Sequence, residues 1–143
     1  MFEIIKQSKK AINNKEKILI YGDGDVDGVS SILILKDFLE LLEVKVEYFT
    51  PGEEGYGLHI PIVQKYLENG TTLIITVDCG ISDIEAAEFI SSKGVDLIIT
   101  DHHTPLPEIP PALAVVNPKL PDSPYPFSEL TGVGVAFKFL QAL

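Results

Sequence analysis

The chain has 143 residues, 45% of them hydrophobic and 22% charged, enough to bury one core; that excludes a disordered chain and leaves little room for two independent domains. Its formal charge is −10 and its basic residues are all lysine, a balance that argues against tight nucleic-acid binding by this stretch alone unless cations offset the carboxylates. No apolar run approaches the ~20 residues that cross a bilayer, Met1 to Lys10 lacks the apolar core of a secretory signal, and the lone Cys79 fits a reducing compartment, so cytoplasmic residence without membrane contact is expected.

In chain order, Lys17 to Tyr21 (KILIY) predicts a strand, Val29 to Leu42 a helix, Val44 to Phe49 a strand and Ile60 to Glu68 a helix. The alternation repeats with a strand over Thr72 to Val77 (TLIITV), a helix over Ser82 to Lys93 and a strand over Val95 to Thr100 (VDLIIT). Ser82 and Glu85 have the spacing of a capping box, and Gly94 marks a helix stop. Beyond the Pro-rich link from Thr104 to Pro111, Ala112 to Val116 predicts a fifth strand and Thr131 to Leu143 a final helix. Strands of nearly unbroken Ile, Leu and Val, each followed by a helix, imply one α/β domain over residues 1–143: an open doubly wound, mainly parallel sheet with helices on both faces. Ligands of such sheets bind beyond the carboxyl ends of the strands, so polar residues that follow different strands meet at one edge.

Three clusters fall at that edge. Asp23, Asp25 and Asp27 follow the first strand, Asp78-Cys79-Gly80 the third, and Asp101-His102-His103 the fourth. Close carboxylates repel one another, and a divalent cation between them removes the penalty. An added imidazole favours Mn²⁺, Zn²⁺ or Fe over pure Mg²⁺ or Ca²⁺ sites. Alternating Asp25 and Asp27 ahead of a glycine suit two adjacent ions with Asp78 between them, and an ion pair about 3.5–4 Å apart serves in-line displacement at phosphorus. Each cluster alone has a plainer explanation, as an Asp-Gly turn, a helix cap or a solvated His pair. Their coincidence at three strand ends favours a metal centre. An EF-hand fits less well, because its twelfth-position Glu is missing; a receiver domain fits less well because no late Lys follows a strand and the adjacent histidines go unexplained.

The run from Tyr21 to Gly28, the Val77-Asp78-Cys79-Gly80-Ile81 segment and Asp101-His102-His103, in that order, resemble the first three motifs of the DHH phosphoesterases. Glu54-Gly55-Tyr56-Gly57-Leu58 and the stretch from Gly132 to Lys138 resemble the RecJ-type branch of that superfamily. The resemblance implies a metal-dependent phosphodiesterase hydrolysing single-stranded DNA, with a two-metal Mn²⁺ cofactor, Mg²⁺ as the other candidate, and water as nucleophile. It implies Asp25 on the first ion, Asp27 and His102 on the second, Asp78 bridging, and Asp23 as an extra ligand or hydrogen-bond partner. His103 then faces the scissile phosphate and Asp101 orients a histidine. Tyr21 stands where pyrophosphatase-type relatives carry a liganding His, which disfavours that activity.

Substrate-contact candidates are Tyr56, whose flanking glycines present its ring for base stacking, and Gly132 and Gly134. The two glycines suit either close approach of a phosphate to a helix N-terminus or tight packing of that helix. Tyr48 and Phe49 read as core or strand-end residues. Two features depart from the RecJ-type pattern: Gly24 replaces a common aromatic, and Pro51-Gly52-Glu53 lacks an arginine. The family's fourth acidic motif and its DHH-associated domain are not in this sequence, so the expectation is an incomplete domain, weakly active or inactive alone, with DNA gripped mainly elsewhere. A DHH enzyme of short oligonucleotides or nucleotides, and a non-catalytic DHH scaffold, are the alternatives.

Overall fold

A computed structural model describes Lys10, Asn13, Asn14 and residues 16–143. Its elements are β1 (Ile18–Gly22), α1 (Val26–Leu41), β2 (Val46–Phe49), α2 (Ile60–Glu68), β3 (Leu73–Val77), α3 (Ile84–Ser92), β4 (Asp96–Thr100), β5 (Ala114–Val116) and α4 (Gly132–Ala142). The five strands pair in parallel throughout, in the order β2-β1-β3-β4-β5. This is the doubly wound α/β sheet that the apolar runs predict.

Alternation along β1 sends Ile18 and Ile20 to one face and Leu19 and Tyr21 to the other. On the first face they pack with Ile32, Leu35 and Leu39 of α1 and Ala136 and Phe139 of α4. On the second they meet Val63 of α2 and Ala87 and Ile90 of α3. β1, β3 and nearly all of β4 are buried, which is why they read as unbroken apolar runs. Each fully buried Leu or Ile contributes about 1.5–3 kcal/mol. Because the chain leaves β1 for β2 on one side and returns to β3 on the other, the winding direction reverses between β1 and β3, and a crevice opens beyond their carboxyl ends.

Strand ends shift by one or two residues, with β2 starting at Val46 and β5 at Ala114, and two helix starts differ from expectation. α1 starts at Val26 rather than Val29, because Asp25 is its N-cap and accepts the Gly28 N–H at 2.9 Å. The Ser82 capping box does not form: the N-cap of α3 is Asp83, whose side chain makes no bond to that helix and accepts instead the N–H of Leu58 at 2.9 Å. Gly94 does follow the end of α3, at φ +69°, as a left-handed stop requires. Among the described residues, no helix is long and apolar enough to cross a membrane.

Candidate metal centre

β1 delivers the first acidic loop to the crevice. The N–H of Asp23 continues the strand ladder by donating to Val77 O at 3.3 Å, and Thr50 Oγ1 donates to Asp23 O at 3.1 Å. Asp25 remains exposed, and its carboxyl lies below the usual range, first because the Gly28 N–H donates to it. Asp27, in the first turn of α1, points across to α4: its two oxygens accept the N–H groups of Gly132 and Val133 at 2.6 and 2.7 Å. A carboxylate on two free amides at a helix start is a favourable charge-assisted pairing. Thr131 caps the same helix by accepting the Gly134 N–H at 3.2 Å.

Asp78 follows β3 with its backbone at φ +61°, a region that Asp enters at modest cost and that places its side chain, 1% exposed, inward. Burial, then the nearby charges of Asp27 and Asp25, push its carboxyl up to about 8. His102 Nε2 lies 3.1 Å from Asp78 Oδ1 and 3.9 Å from Asp27 Oδ2. The other ring nitrogen, Nδ1, lies 3.0 Å from the carbonyl of Leu130, which only accepts, so Nδ1 carries a proton and Nε2 is the atom that faces Asp78. Asp78 Oδ1 comes within 3.1 Å of this imidazole yet forms no hydrogen bond with it. A cation between the two would take both as ligands.

Asp101, fully buried at the end of β4, is committed to shape. One oxygen accepts the Ile81 N–H at 3.0 Å; the other accepts the N–H groups of His102 at 2.7 Å and His103 at 3.0 Å, and the His103 Nδ1–H at 2.7 Å. That last bond fixes the tautomer of His103 and leaves its Nε2 lone pair free. Tyr56 completes this corner, with its hydroxyl 3.1 Å from His103 Nδ1 and the two ring centres 5.4 Å apart, edge to face.

Two candidate donor sets emerge, Asp23 with Asp25 and Asp78, and Asp78 with His102 and His103; within each set the ligand atoms lie within 4.8 Å of one another. Asp78 belongs to both, as a bridging carboxylate should. Carboxylate oxygens with imidazole nitrogen suit divalent ions of the Mn²⁺ type, and the orphaned Asp78 Oδ1 is the atom such an ion satisfies. Asp27 sits beside these sets with both oxygens on α4. Gly132 packs so tightly on Asp78 that a Cβ there would collide with the carboxyl. Its N–H and that of Val133 are held by Asp27, and that of Gly134 by Thr131. Phe49 packs its ring 5.0 Å from Tyr21, whereas Tyr48 is 54% exposed. Sequence patterns do not reveal Asp83 or the Leu130 carbonyl: the first looks like an ordinary helix cap, and the second is a backbone atom.

Comparison with known proteins identifies the family. A family model described as DHH family, N-terminal domain, matches residues 17–143. The single-stranded-DNA-specific exonuclease RecJ of Bacillus subtilis is 46% identical over 145 residues, covering 100% of this chain and 18% of that protein. The Escherichia coli RecJ is 38% identical, over 93% of this chain and 24% of its own length. The chain thus spans about a fifth to a quarter of these relatives. A crystal structure of exonuclease RecJ bound to manganese superposes with a TM-score of 0.89 at 39% identity, over 99% of this chain and 36% of that one. RecJ from Thermus thermophilus in complex with Mn²⁺ gives a TM-score of 0.83 at 36% identity, over 99% and 20%. Match and motif order together show that the chain belongs to the DHH family.

Proposed function

We propose that this chain forms the two-metal core of a phosphodiesterase that hydrolyses single-stranded DNA, with Mn²⁺ as its ion and the cytoplasm as its compartment. The observation that carries the proposal is Asp78, a buried carboxylate common to both donor sets whose Oδ1 has no donor. Asp23, Asp25 and Asp78 hold one ion; Asp78 and His102, with Asp27 alongside, hold the other. Bound there, the ions supply Lewis acidity and an activated water. The chain's own groups do the rest. The Leu130 carbonyl fixes the tautomer of His102. Asp101 fixes that of His103, so that its Nε2 is presented to the scissile phosphate, where once protonated it stabilises developing charge. The amides at the start of α4 are held by Asp27 and Thr131, so Gly132 and Gly134 serve close packing and Tyr56 is the residue that lines the approach to the phosphate.

Similarity to proteins named as single-stranded-DNA-specific exonucleases supports the substrate, and a superposition at TM-score 0.89 on a manganese-bound RecJ supports the ion. Incubation with Mn²⁺ and single-stranded DNA, duplex DNA, RNA, dinucleotides and mononucleotides, with products resolved by chromatography, tests the reading. Slow shortening of single-stranded DNA that disappears in Asp78→Ala is the expected result, in keeping with a chain that spans about a fifth of its relatives. Equal turnover of mononucleotides would overturn the DNA assignment, and hydrolysis that survives Asp78→Ala would overturn the metal core.

A further inference from the structure

The segment from Gly52 to His59 has no helix or strand, and two of its residues, Gly55 at φ +86° and Gly57 at φ +94°, adopt a backbone that favours glycine. Such a loop is pliant unless something outside it holds it. Two residues far away in sequence do. Tyr21, fully buried on β1, donates its hydroxyl proton to Gly57 O at 3.1 Å and accepts the His59 N–H at 3.2 Å. Asp83, at the start of α3, accepts the Leu58 N–H at 2.9 Å, and its Oδ1 would lie 2.8 Å from any Cβ on Gly57. Within the loop, Gly55 O accepts from His59 Nε2 at 2.9 Å and Glu54 Oε2 accepts the Gly52 N–H at 2.8 Å. Both anchors give up alternative roles: Tyr21 packs on the α2 and α3 face rather than toward the carboxylates, and Asp83 leaves its own helix without a side-chain cap.

What this clamp presents is Tyr56, half exposed, beside His103. His103 Nδ1–H donates to Asp101 Oδ1 at 2.7 Å, an oxygen that also accepts two backbone N–H groups. Tyr56 Oη therefore meets a nitrogen that already donates, which leaves its own O–H free for another acceptor.

We propose that Asp83 and Tyr21 are positioning residues that lock the Gly52–His59 loop so that the Tyr56 O–H donates to a non-bridging oxygen of the substrate's phosphodiester next to His103. This rests on the phosphodiesterase reading and adds a specific donor to it. Base stacking by the Tyr56 ring is the competing role, and removal of the hydroxyl alone separates the two.

The test uses the 143-residue chain loaded with Mn²⁺ and a fluorescent tetrathymidylate whose linkages carry a methylene in place of one bridging oxygen, which resists hydrolysis and keeps both non-bridging oxygens, with affinity followed by anisotropy and Mn²⁺ affinity by calorimetry. Tyr56→Phe weakens tetrathymidylate binding about tenfold or more, the range for a hydrogen bond to a charged group, with Mn²⁺ affinity unchanged. Asp83→Ala and Tyr21→Phe raise hydrogen exchange at the Leu58 and His59 amides and weaken tetrathymidylate binding several-fold. Asp83→Asn, which keeps an acceptor for the Leu58 N–H, restores both. Wild-type binding in Tyr56→Phe, unchanged exchange in Asp83→Ala, or a wild-type chain that takes up Mn²⁺ but no tetrathymidylate would each overturn the proposal. Failure of the wild type to bind Mn²⁺ would instead overturn the metal core beneath it.

Discussion

Asp78 carries the sharpest conflict between stability and function in the molecule. With its carboxyl raised to about 8 from an unfolded value near 4, it favours the folded state while protonated. In metal-free protein that contribution is complete below about pH 4 and is lost as pH climbs toward 8. Asp78→Asn removes the charge and tolerates the φ +61° backbone. We expect Asp78→Asn to raise the EDTA-treated melting temperature by roughly 5–10 °C above pH 8 and to abolish any further rise on adding Mn²⁺; pH-dependent thermal melts of both proteins check this. The two glycines of α4 differ for an equally local reason. Gly132→Ala drives a Cβ into Asp78 and should cost about 2 kcal/mol or more along with Mn²⁺ affinity. Gly134→Ala meets first the Leu130 Cδ2 at 3.2 Å, the end of a mobile side chain, and should be neutral or gain up to about 1 kcal/mol from helix propensity. Urea titrations of the pair measure both outcomes.

Elements were legible where one physical signal dominates. Buried parallel strands declare themselves as Ile-Leu-Val runs, so all five appear near their expected positions. The start of α1 was displaced because Asp25 serves at once as a ligand candidate and as an N-cap. The Ser82–Glu85 pattern misled because the helix starts one residue later, with Asp83 at its N-cap, and local spacing says nothing of Leu58, 25 residues away, which takes the Asp83 carboxylate. The docking of α4 was equally invisible, since Asp27 meets Gly132 across 105 residues. The convergence of Asp23, Asp25, Asp78, His102 and His103 was readable from strand ends alone, because a parallel sheet sends every strand terminus to one edge. Asp27→Ala should leave the Gly132 and Val133 amides unpaired and destabilise metal-free protein by about 1–3 kcal/mol. Faster hydrogen exchange through the first turn of α4 is the signature expected, with the β1 and β3 amides still protected.

For the whole molecule, a charge of −10 with several carboxylates gathered at one sheet edge means that divalent ions act on the folded state far more than on the unfolded chain. A ligand present at a hundred times its dissociation constant adds about 2.7 kcal/mol. For a domain of this size that is a rise in melting temperature of roughly 5–10 °C. Mn²⁺ should produce it and EDTA should reverse it; a flat response in calorimetric scans would contradict the centre.

The carboxylate that joins α1 to α4 also imposes a schedule. A ribosome makes the polypeptide from the amino end, so β1 to β4, with Asp78 and His102, exist before the Gly132 and Val133 amides that seat Asp27. Synthesis must pass the start of the last helix before the pocket attains its final shape, and a nascent polypeptide halted short of that point should fail to retain manganese.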